Sequence, residues 1–281
     1  DGAPAPAGRG RRRCKLAQGW RHLGASGRSL SSASDGRFSS AVTRVEPPHP
    51  DWEPGQKLPM PFRSSTWVQL DPNELKTCYP FMISAFLPRP ISLISSMSAD
   101  GVGNVAPFSY SGLVNHDPPA IAVSICRKGP GGPIKDSCAN ILATEEFTIN
   151  VMSDWYVEMA NHTCGNFDPD VDEMALAGLT PQPSSLVKPP RIGESAVQFE
   201  CKLIHSHEMK NKLGEATATL LVGEVVMFHV HEEALDLEWG KEKPKVKFEA
   251  LRPLSRLGGD TYGVTNQVFD LPRPDRPERG R

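Results

Sequence analysis

The sequence has no run of 18 apolar residues, so no part of it is long and apolar enough to form a transmembrane helix. It has only six cysteines among 281 residues and no Cys-x-x-Cys pair, which argues against a disulfide-stabilised scaffold. Charge of one sign is not in excess either, since 31 Lys and Arg against 33 Asp and Glu give a net charge of −2. The sequence also lacks the Gly-x-Ser-x-Gly motif of serine hydrolases. We therefore expect neither nucleic acid nor a membrane as a partner.

Proline, by contrast, is abundant: the 27 prolines are about twice the average share, and many lie near the two ends of the chain. Residues 46–66 are Pro-rich and predict an extended linker, and residues 266–281 predict a disordered tail. Hydrophobic residues make up 38% of the chain, which is enough to form a core. The sequence therefore predicts one globular domain over residues 67–265.

The net charge hides a strongly basic first segment. Residues 1–45 hold nine Lys and Arg against two Asp, a net charge of +7, so the rest of the chain carries −9. This segment also holds seven Ser, and Arg-rich, Ser-rich, acid-poor composition is typical of an organelle transit peptide. The alternatives are a basic tail without an address and a nucleic-acid-binding arm, which the lack of interleaved aromatic residues disfavours. If residues 1–45 are a transit peptide, we expect a mitochondrial or other organelle location, and if they are not, we expect a cytoplasmic location.

Most of the predicted elements are strands joined by short turns. Predicted strands cover residues 91–97, 104–111, 120–126, 147–152, 196–209 and 216–231. Predicted helices cover residues 134–145, 154–160 (with Asp154 as N-cap) and 172–179. Asp100-Gly101 is a hairpin signal because both residues tolerate a positive φ. This pattern predicts a mainly β fold, a closed antiparallel, Greek-key-like barrel with a few peripheral helices.

The segment 127–137 (RKGPGGPIKDS) joins a predicted strand to a predicted helix and combines three cations with three glycines. Free N–H groups at a helix start favour an anion, and Arg127 and Lys135 could pair with phosphate oxygens while Ser137 donates a hydroxyl. It is not a Walker loop, because Ile134 stands where the glycine before the lysine is required. The alternative is a solvated basic loop without a ligand.

Other motifs favour ordinary structure over chemistry. Residues 101–106 (GVGNVA) match a dinucleotide-binding pattern, but Pro107 follows where a helix should begin, so a hairpin is favoured. Two His-x-His pairs, at 205–207 and 229–231, lack a completing Cys or carboxylate, so a metal site is disfavoured. Cys164 beside His162 is a poor catalytic pair, because such partners usually come from distant positions.

Taken in order along residues 80–262, the sequence motifs resemble those of the flavin reductase-like family, which has the FMN-binding split β-barrel fold. The motifs are RPISLIS (89–95), DG (100–101), NVAPFS (104–109), DPP (117–119), KDS (135–137), NI (140–141), EFTINV (146–151), DE (172–173), AGLTP (177–181), EC (200–201), GEVV (223–226), LRPL (251–254) and RLGG (256–259). Each motif alone is modest, but the ordered set is specific.

The resemblance implies a homodimer with FMN near the subunit interface. It implies that the isoalloxazine lies against residues 91–95 and 106–111, and that Arg256 and Tyr262 close the nicotinamide side. It implies that four residues hold the phosphate: Arg127, Lys135, Asp136 and Ser137. It further implies that FMN contacts Ser92, Ser95, Ala106, Pro107, Phe108, Ser109 and Ser111. The sequence departs from the family pattern at residues 129–133 and 162–164.

The function implied is an FMN-dependent oxidoreductase, an NAD(P)H:flavin or ferric reductase-like enzyme. NAD(P)H is the expected electron donor, and free flavin or iron is the expected acceptor. The flavin performs the chemistry, so no catalytic acid, base or metal is expected from the protein. The alternatives are a non-catalytic FMN-binding module and an oxidase of the pyridoxamine phosphate type.

Overall fold

The computed structural model describes residues 42–165, 167–168 and 171–274. Most of the basic segment 1–45 and the end of the predicted tail therefore lie outside the described residues, as do the predicted features that fall on them. Residues 46–66 form no helix or strand in the structure. Among the described helices, none is long and apolar enough to cross a membrane.

Strands dominate the described part of the chain. In chain order they are β1 (Thr43–Arg44), β2 (Arg89–Pro90), β3 (Ser92–Met97), β4 (Gly103–Phe108), β5 (Ser111–His116), β6 (Pro119–Cys126), β7 (Glu146–Val151), β8 (Pro181–Gln182), β9 (Arg191–Ile192), β10 (Val197–Lys210), β11 (Ala216–Val230), β12 (Leu235–Asp236), β13 (Lys245–Val246), β14 (Leu254–Arg256), β15 (Tyr262–Val264) and β16 (Gln267–Val268). The helices are α1 (Tyr79–Ala85), α2 (Asp136–Thr144), α3 (Val157–His162), α4 (Glu173–Ala177) and α5 (Phe248–Leu251), with 3₁₀ turns at Asp154–Tyr156 and Glu232–Ala234.

The central element is a seven-stranded sheet in the order β4-β3-β7-β10-β11-β6-β5. Every pairing in it is antiparallel. The β3–β4 hairpin turns at Gly101, whose φ of +88° is one that glycine adopts without strain. β10 and β11 form the longest pair, as the predicted strands 196–209 and 216–231 suggested, and a turn at residues 211–215 joins them. The mainly β, antiparallel prediction is confirmed.

Two clusters of buried side chains form the core. The first lies between the long strands and α2, and it includes Ile94, Phe147, Ile149 and Leu221. The second joins β3 and β4 to α3 and α4, and it is centred on the fully buried Tyr156. Burying these side chains supplies the main driving force for the fold, at roughly 1.5–3 kcal/mol for each large apolar side chain.

The structure corrects two local predictions. Asp154 does not cap a helix with its side chain; its carboxylate instead accepts a hydrogen bond from Arg252 Nη2 at 2.8 Å. The run 104–111 is not one strand, because β4 ends at Phe108 and a new strand, β5, begins at Ser111. The α4 helix matches its prediction: Asp172 Oδ1 accepts from Ala175 N at 3.1 Å, and Gly178 ends the helix with a φ of +74°.

Candidate functional site

A cleft opens where β4, the start of α2 and the β14–β15 hairpin meet. Its wider part has a volume of about 260 Å³. This part is lined by Tyr79, Ile83, Arg89, Ile91, Pro107, Phe108, Ser109, Tyr110, Ser124, Cys126, Lys135, Cys164, Arg256, Gly259 and Tyr262. A narrower part of about 100 Å³ is lined by Asn104, Ala106, Pro107, Phe108, Lys128, Lys135, Asp136, Ser137, Thr163, Cys164, Gly165, Phe167 and Glu173. Four residues line both parts, so the two parts form one continuous cleft.

The wider part combines an apolar wall with polar groups at its floor. Ile91 and Phe108 are largely buried and present hydrocarbon to the cleft. Arg89 is only 5% exposed, and its guanidinium donates to the carbonyl of Ile83 at 2.5 Å and to Ser109 Oγ at 3.3 Å. These hydrogen bonds from Nε and Nη1 hold the buried guanidinium in place at this wall. Sequence reasoning missed Arg89 as a site residue, although the Arg-Pro motif before β3 was a signal for it.

The narrower part is built around the start of α2. Lys135 is the residue before the helix, with extended backbone and a side chain that makes no capping hydrogen bond. The N–H groups of Asp136 and Ser137 open the helix and have no acceptor within it. Lys135, Lys128 and these N–H groups would attract an anion, whereas the carboxyl groups of Asp136 and Glu173 would repel one.

Seven of the eleven sequence-predicted residues come together in this cleft, and four do not. The seven are Ala106, Pro107, Phe108, Ser109, Lys135, Asp136 and Ser137. The four that line neither part are Ser92, Ser95, Ser111 and Arg127.

The four outlying residues are engaged elsewhere or buried. Ser92 Oγ and Ser111 Oγ lie 2.6 Å apart and hydrogen-bond to each other, while Ser95 is 1% exposed within β3. Arg127 Nη2 is 2.5 Å from Glu208 Oε2, and its Nη1 donates to the carbonyl of Gly132 at 3.2 Å. Arg127 therefore holds the basic loop to β10 and does not face the cleft as expected.

The predicted residues Arg256 and Tyr262 also line the wider part of the cleft. The Arg256 guanidinium lies 4.4 Å from the centre of the Tyr262 ring, and its Nη2 donates to the carbonyl of Gly259 at 2.5 Å. Tyr262 donates its hydroxyl to Asn161 Oδ1 at 2.7 Å. These contacts hold a cation and an aromatic ring in fixed positions at the rim.

Two thiols line the cleft, but neither is a strong nucleophile. Burial raises the pKa of Cys164, although Arg256 and Lys135 act to lower it. Burial also raises the pKa of Cys126. Since the thiolate is the reactive form, this argues against covalent catalysis at either cysteine.

Glu173 is a site residue that sequence reasoning missed. Its carboxyl is 9% exposed and lines the narrower part of the cleft, where Oε2 accepts from Val105 N at 3.4 Å. Burial raises its pKa, with Asp136 and Asp172 acting in the same direction, while backbone N–H groups act to lower it. The sequence placed Glu173 only at the start of a short helix, and nothing in its spacing pointed to the cleft.

The His pairs singled out in the sequence lie away from the cleft. His229 Nε2 is 2.6 Å from Glu200 Oε1, and Glu200 also accepts from the N–H groups of Ser185, Leu186 and Val187. Burial acts to raise the pKa of Glu200, but these donors and His229 outweigh it and lower the pKa. Glu200 therefore fastens the loop at residues 183–190 to the sheet.

The chain is similar in sequence and in fold to known proteins. The model of the flavin reductase like domain matches residues 83–245. An uncharacterized protein of Halalkalibacterium halodurans is 36% identical over 209 residues, which cover 74% of this chain and 97% of that protein.

Two solved structures are similar over nearly the whole domain. Nitrilotriacetate monooxygenase component B of Bacillus cereus is 32% identical with a TM-score of 0.69, and the match covers 74% of this chain and 100% of that one. The 2-nitrobenzoate 2-nitroreductase NbaA of Pseudomonas fluorescens is 26% identical with a TM-score of 0.64, and the match covers 76% of this chain and 100% of that one. A third solved structure, a flavin reductase with a split barrel domain from Shewanella frigidimarina, is 23% identical with a TM-score of 0.60, and this similarity of fold confirms the predicted split β-barrel. Because the flavin reductase like domain model matches more than half of the chain, at residues 83–245, the chain belongs to the flavin reductase-like family.

Proposed function

We propose that the protein is an FMN-dependent oxidoreductase that takes a hydride from NAD(P)H and passes electrons to free flavin, iron or another acceptor. One observation carries the proposal: a single cleft joins an apolar wall on β4 to a basic helix start at α2. FMN needs both, because it has a flat ring system at one end and a phosphate at the other. Family membership and the similarity to a monooxygenase component and a nitroreductase support a redox function.

The residues of the cleft fit FMN at both ends. Pro107 and Phe108 on β4, with Ile91, offer the apolar surface on which a planar ring packs. Ser109 adds a hydroxyl close to the buried Arg89. At the other end Lys135 and the first N–H groups of α2 would hold the phosphate. This division explains why Arg127, which is paired with Glu208, is not needed as a phosphate ligand.

When bound, FMN supplies the redox chemistry, so the residues of the chain have binding and orienting roles. The apolar wall excludes water from one side of the cleft. Arg256, held over Tyr262, presents a fixed positive charge at the rim, where it would attract the phosphate groups of NAD(P)H. The raised pKa values of Cys126 and Cys164 keep both thiols protonated and out of the reaction near neutral pH.

The experiment that tests the proposal is flavin capture followed by reduction. The full chain is mixed separately with FMN, FAD and riboflavin, separated from free ligand by gel filtration, and examined for a flavin absorbance band. We expect FMN to be retained best. NADH or NADPH is then added without oxygen, and at least one should bleach the band. A colourless protein contradicts the proposal, and bound flavin that neither nucleotide bleaches indicates the non-catalytic module instead.

We also propose that the protein is a homodimer. Leu113 and Val114 on β5, an end strand of the sheet, are 82% and 57% exposed. Phe86, which follows α1, is 75% exposed, and Trp67 is 80% exposed. Large exposed apolar side chains of this kind mark interaction surfaces. Light scattering on the full chain should give twice the chain mass of 30.7 kDa, and Leu113→Glu should shift it toward one chain mass.

A location in a mitochondrion or another organelle is a further proposal, supported by the composition of residues 1–45 alone. It is tested by fusing these residues to a fluorescent protein. Import into an organelle is the expected result, and a uniformly cytoplasmic signal would contradict the proposal.

A further inference from the structure

Three buried polar side chains form a chain of hydrogen bonds at the narrow end of the cleft. Asn104, Ser137 and Glu173 are 8%, 2% and 9% exposed, and all three line this part of the cleft. Asn104 lies between the other two. Asn104 lies on β4, Ser137 in the first turn of α2 and Glu173 at the start of α4, and of the three only Ser137 has a role in the proposed binding of FMN.

The direction of this chain depends on the proton of Glu173. With Glu173 ionised, Asn104 Nδ2 donates to Glu173 Oε1 at 3.1 Å, and Asn104 Oδ1 accepts from Ser137 Oγ at 2.7 Å. A hydroxyl has a single hydrogen, so the hydrogen of Ser137 is then directed at Asn104 and away from a ligand. In this state Ser137 offers only lone pairs to the cleft.

Protonation of Glu173 allows the opposite direction. The carboxyl O–H then donates to Asn104 Oδ1, the amide turns over, and Asn104 Nδ2 donates to Ser137 Oγ at the same 2.7 Å separation. The hydrogen of Ser137 is thereby released toward the cleft, where it can be donated to an anion. The bonds from Asn104 to Glu173 and to Ser137 are kept, because an amide carries a donor and an acceptor at nearly equivalent positions. The Val105 N–H, which reaches Asn104 Oδ1 at 3.2 Å in the first arrangement, keeps only its hydrogen bond to Glu173 Oε2 at 3.4 Å in the second.

The charges around Glu173 favour the same coupling. Asp136 and Asp172 lie near it and are acidic, while Lys128 and Lys135 line the same part of the cleft. A phosphate bound in this part of the cleft would lie near the carboxyl groups of Asp136 and Glu173 and the ammonium groups of Lys128 and Lys135. Protonation of Glu173 removes one negative charge, so these four side chains then carry a net positive charge. Two elements pack against α4. β4 carries no titratable side chain, whereas α3 carries Glu158 and His162, and Cys164 follows the end of α3.

We propose that Glu173 is a proton-linked positioning residue, which takes up a proton from solvent when a phosphate group binds and, through Asn104, turns the Ser137 hydroxyl toward that phosphate. The step transfers one proton from hydronium or a protonated buffer molecule to a Glu173 oxygen, which leaves water or the deprotonated buffer behind and breaks no bond between heavy atoms. Burial raises the pKa of Glu173, so the fold favours the protonated carboxyl more than water would. The inference rests on the proposed binding of FMN, and it adds that recognition of the phosphate depends on pH.

Calorimetric titration of the full chain with FMN, in two buffers of different ionisation enthalpy, measures the protons taken up on binding. The phosphate of FMN titrates near pH 6 by itself, so the informative quantity is the difference between proteins with the same ligand. The wild type should take up more protons than Glu173→Gln, by up to about one per FMN. Glu158→Gln is the matched control, since Glu158 is an exposed carboxyl on α3, and it should behave as wild type. Riboflavin, which has no phosphate, should give no difference between the proteins.

The pH profile gives the second readout. Because the bound state favours protonated Glu173, FMN affinity of the wild type should rise as pH falls, by up to about tenfold per pH unit between the pKa values of the bound and free protein. Glu173→Gln, which mimics the protonated form, should bind tightly at all pH values. Ser137→Ala should bind weakly and with a flattened profile, because the hydrogen that Glu173 controls is gone.

Several results would overturn the inference. Equal proton uptake by the wild type and Glu173→Gln removes Glu173 from the coupling. If Glu173→Gln does not fold, Ser137→Ala decides: a full wild-type pH profile in that variant shows that Ser137 is not the residue being turned. Failure of the wild type to bind FMN at all overturns the proposed function together with this inference, whereas pH-independent binding of FMN overturns the inference alone.

Discussion

Replacing Lys135 with methionine tests the assignment of the phosphate end of the cleft. Lys135 stands before the first turn of α2, lines both parts of the cleft and makes no capping hydrogen bond. Methionine has nearly the same length and shape but no charge. The substitution should therefore remove an attraction to the phosphate without leaving a buried polar group unpaired.

The magnitude follows from the position of the side chain. A hydrogen bond to a charged group contributes about 1.5–3 kcal/mol when it is well sheltered from water. Lys135 is exposed, so water and salt screen part of that attraction. We expect the loss of FMN binding energy to be about 1–2 kcal/mol, which is about a 5- to 30-fold rise in Kd. Raising the salt concentration should narrow the gap between variant and wild type.

The assay is fluorescence titration of the wild type and Lys135→Met with FMN and with riboflavin. Affinity for FMN should fall in the variant, while affinity for riboflavin should change less than about twofold, because riboflavin has no phosphate to lose contact with. Lys188→Met, at an exposed lysine outside the cleft, is the matched control and should leave both affinities unchanged. Equal losses for FMN and riboflavin, or no loss for FMN, would refute the assignment.

Three further predictions concern residues outside the phosphate end. Arg127→Leu should lower the free energy of unfolding by about 1 kcal/mol, measured by urea denaturation, and should leave the ratio of FMN affinity to riboflavin affinity unchanged. A loss of affinity for FMN alone would show that Arg127 contacts the phosphate. Glu200→Gln should destabilise by about 3–5 kcal/mol at neutral pH, because it removes the charge that several donors surround. The pKa of Glu200 is lowered in the fold, so this stabilisation is present above the ordinary carboxyl pKa and is lost as pH falls through the lowered value. The free energies of unfolding of the variant and the wild type should therefore converge in acid. A difference that stays constant with pH would contradict this prediction. Gly223→Ala places a Cβ 2.3 Å from Phe147 Cζ and should cost about 1–3 kcal/mol, whereas Gly112→Ala meets nothing within 4 Å and should cost less than about 0.5 kcal/mol; equal effects would show that the packing at Gly223 relaxes freely.

The positions of most strands along the chain could be predicted from the sequence, because their residue types favour strands and turn signals lie between them. β3 and β7 are buried along almost their whole length, so residue type and length identified them, whereas burial alternates along the middle of β11. β5 was missed because its exposed apolar residues at the end of the sheet follow no alternation. In the proposed homodimer these side chains would contact the second subunit, and the pattern within one chain does not indicate such a contact.

The site was predicted where its residues are close in the sequence and missed where the fold supplies a distant partner. Lys135, Asp136 and Ser137 could be found because a helix start after glycines attracts anions. Arg127 belongs to the same stretch, but Glu208, which is 81 positions away, pairs with it and turns it from the cleft. Glu173 reaches β4 across 68 positions, a contact that no local pattern encodes.

A crystal structure of the full chain with FMN would show both ends of the bound cofactor at once. We expect the flavin ring against Pro107 and Phe108 on β4, with the phosphate at the start of α2 between Lys135 and Ser137. A flavin bound elsewhere, or one whose phosphate points away from α2, would contradict the proposed site.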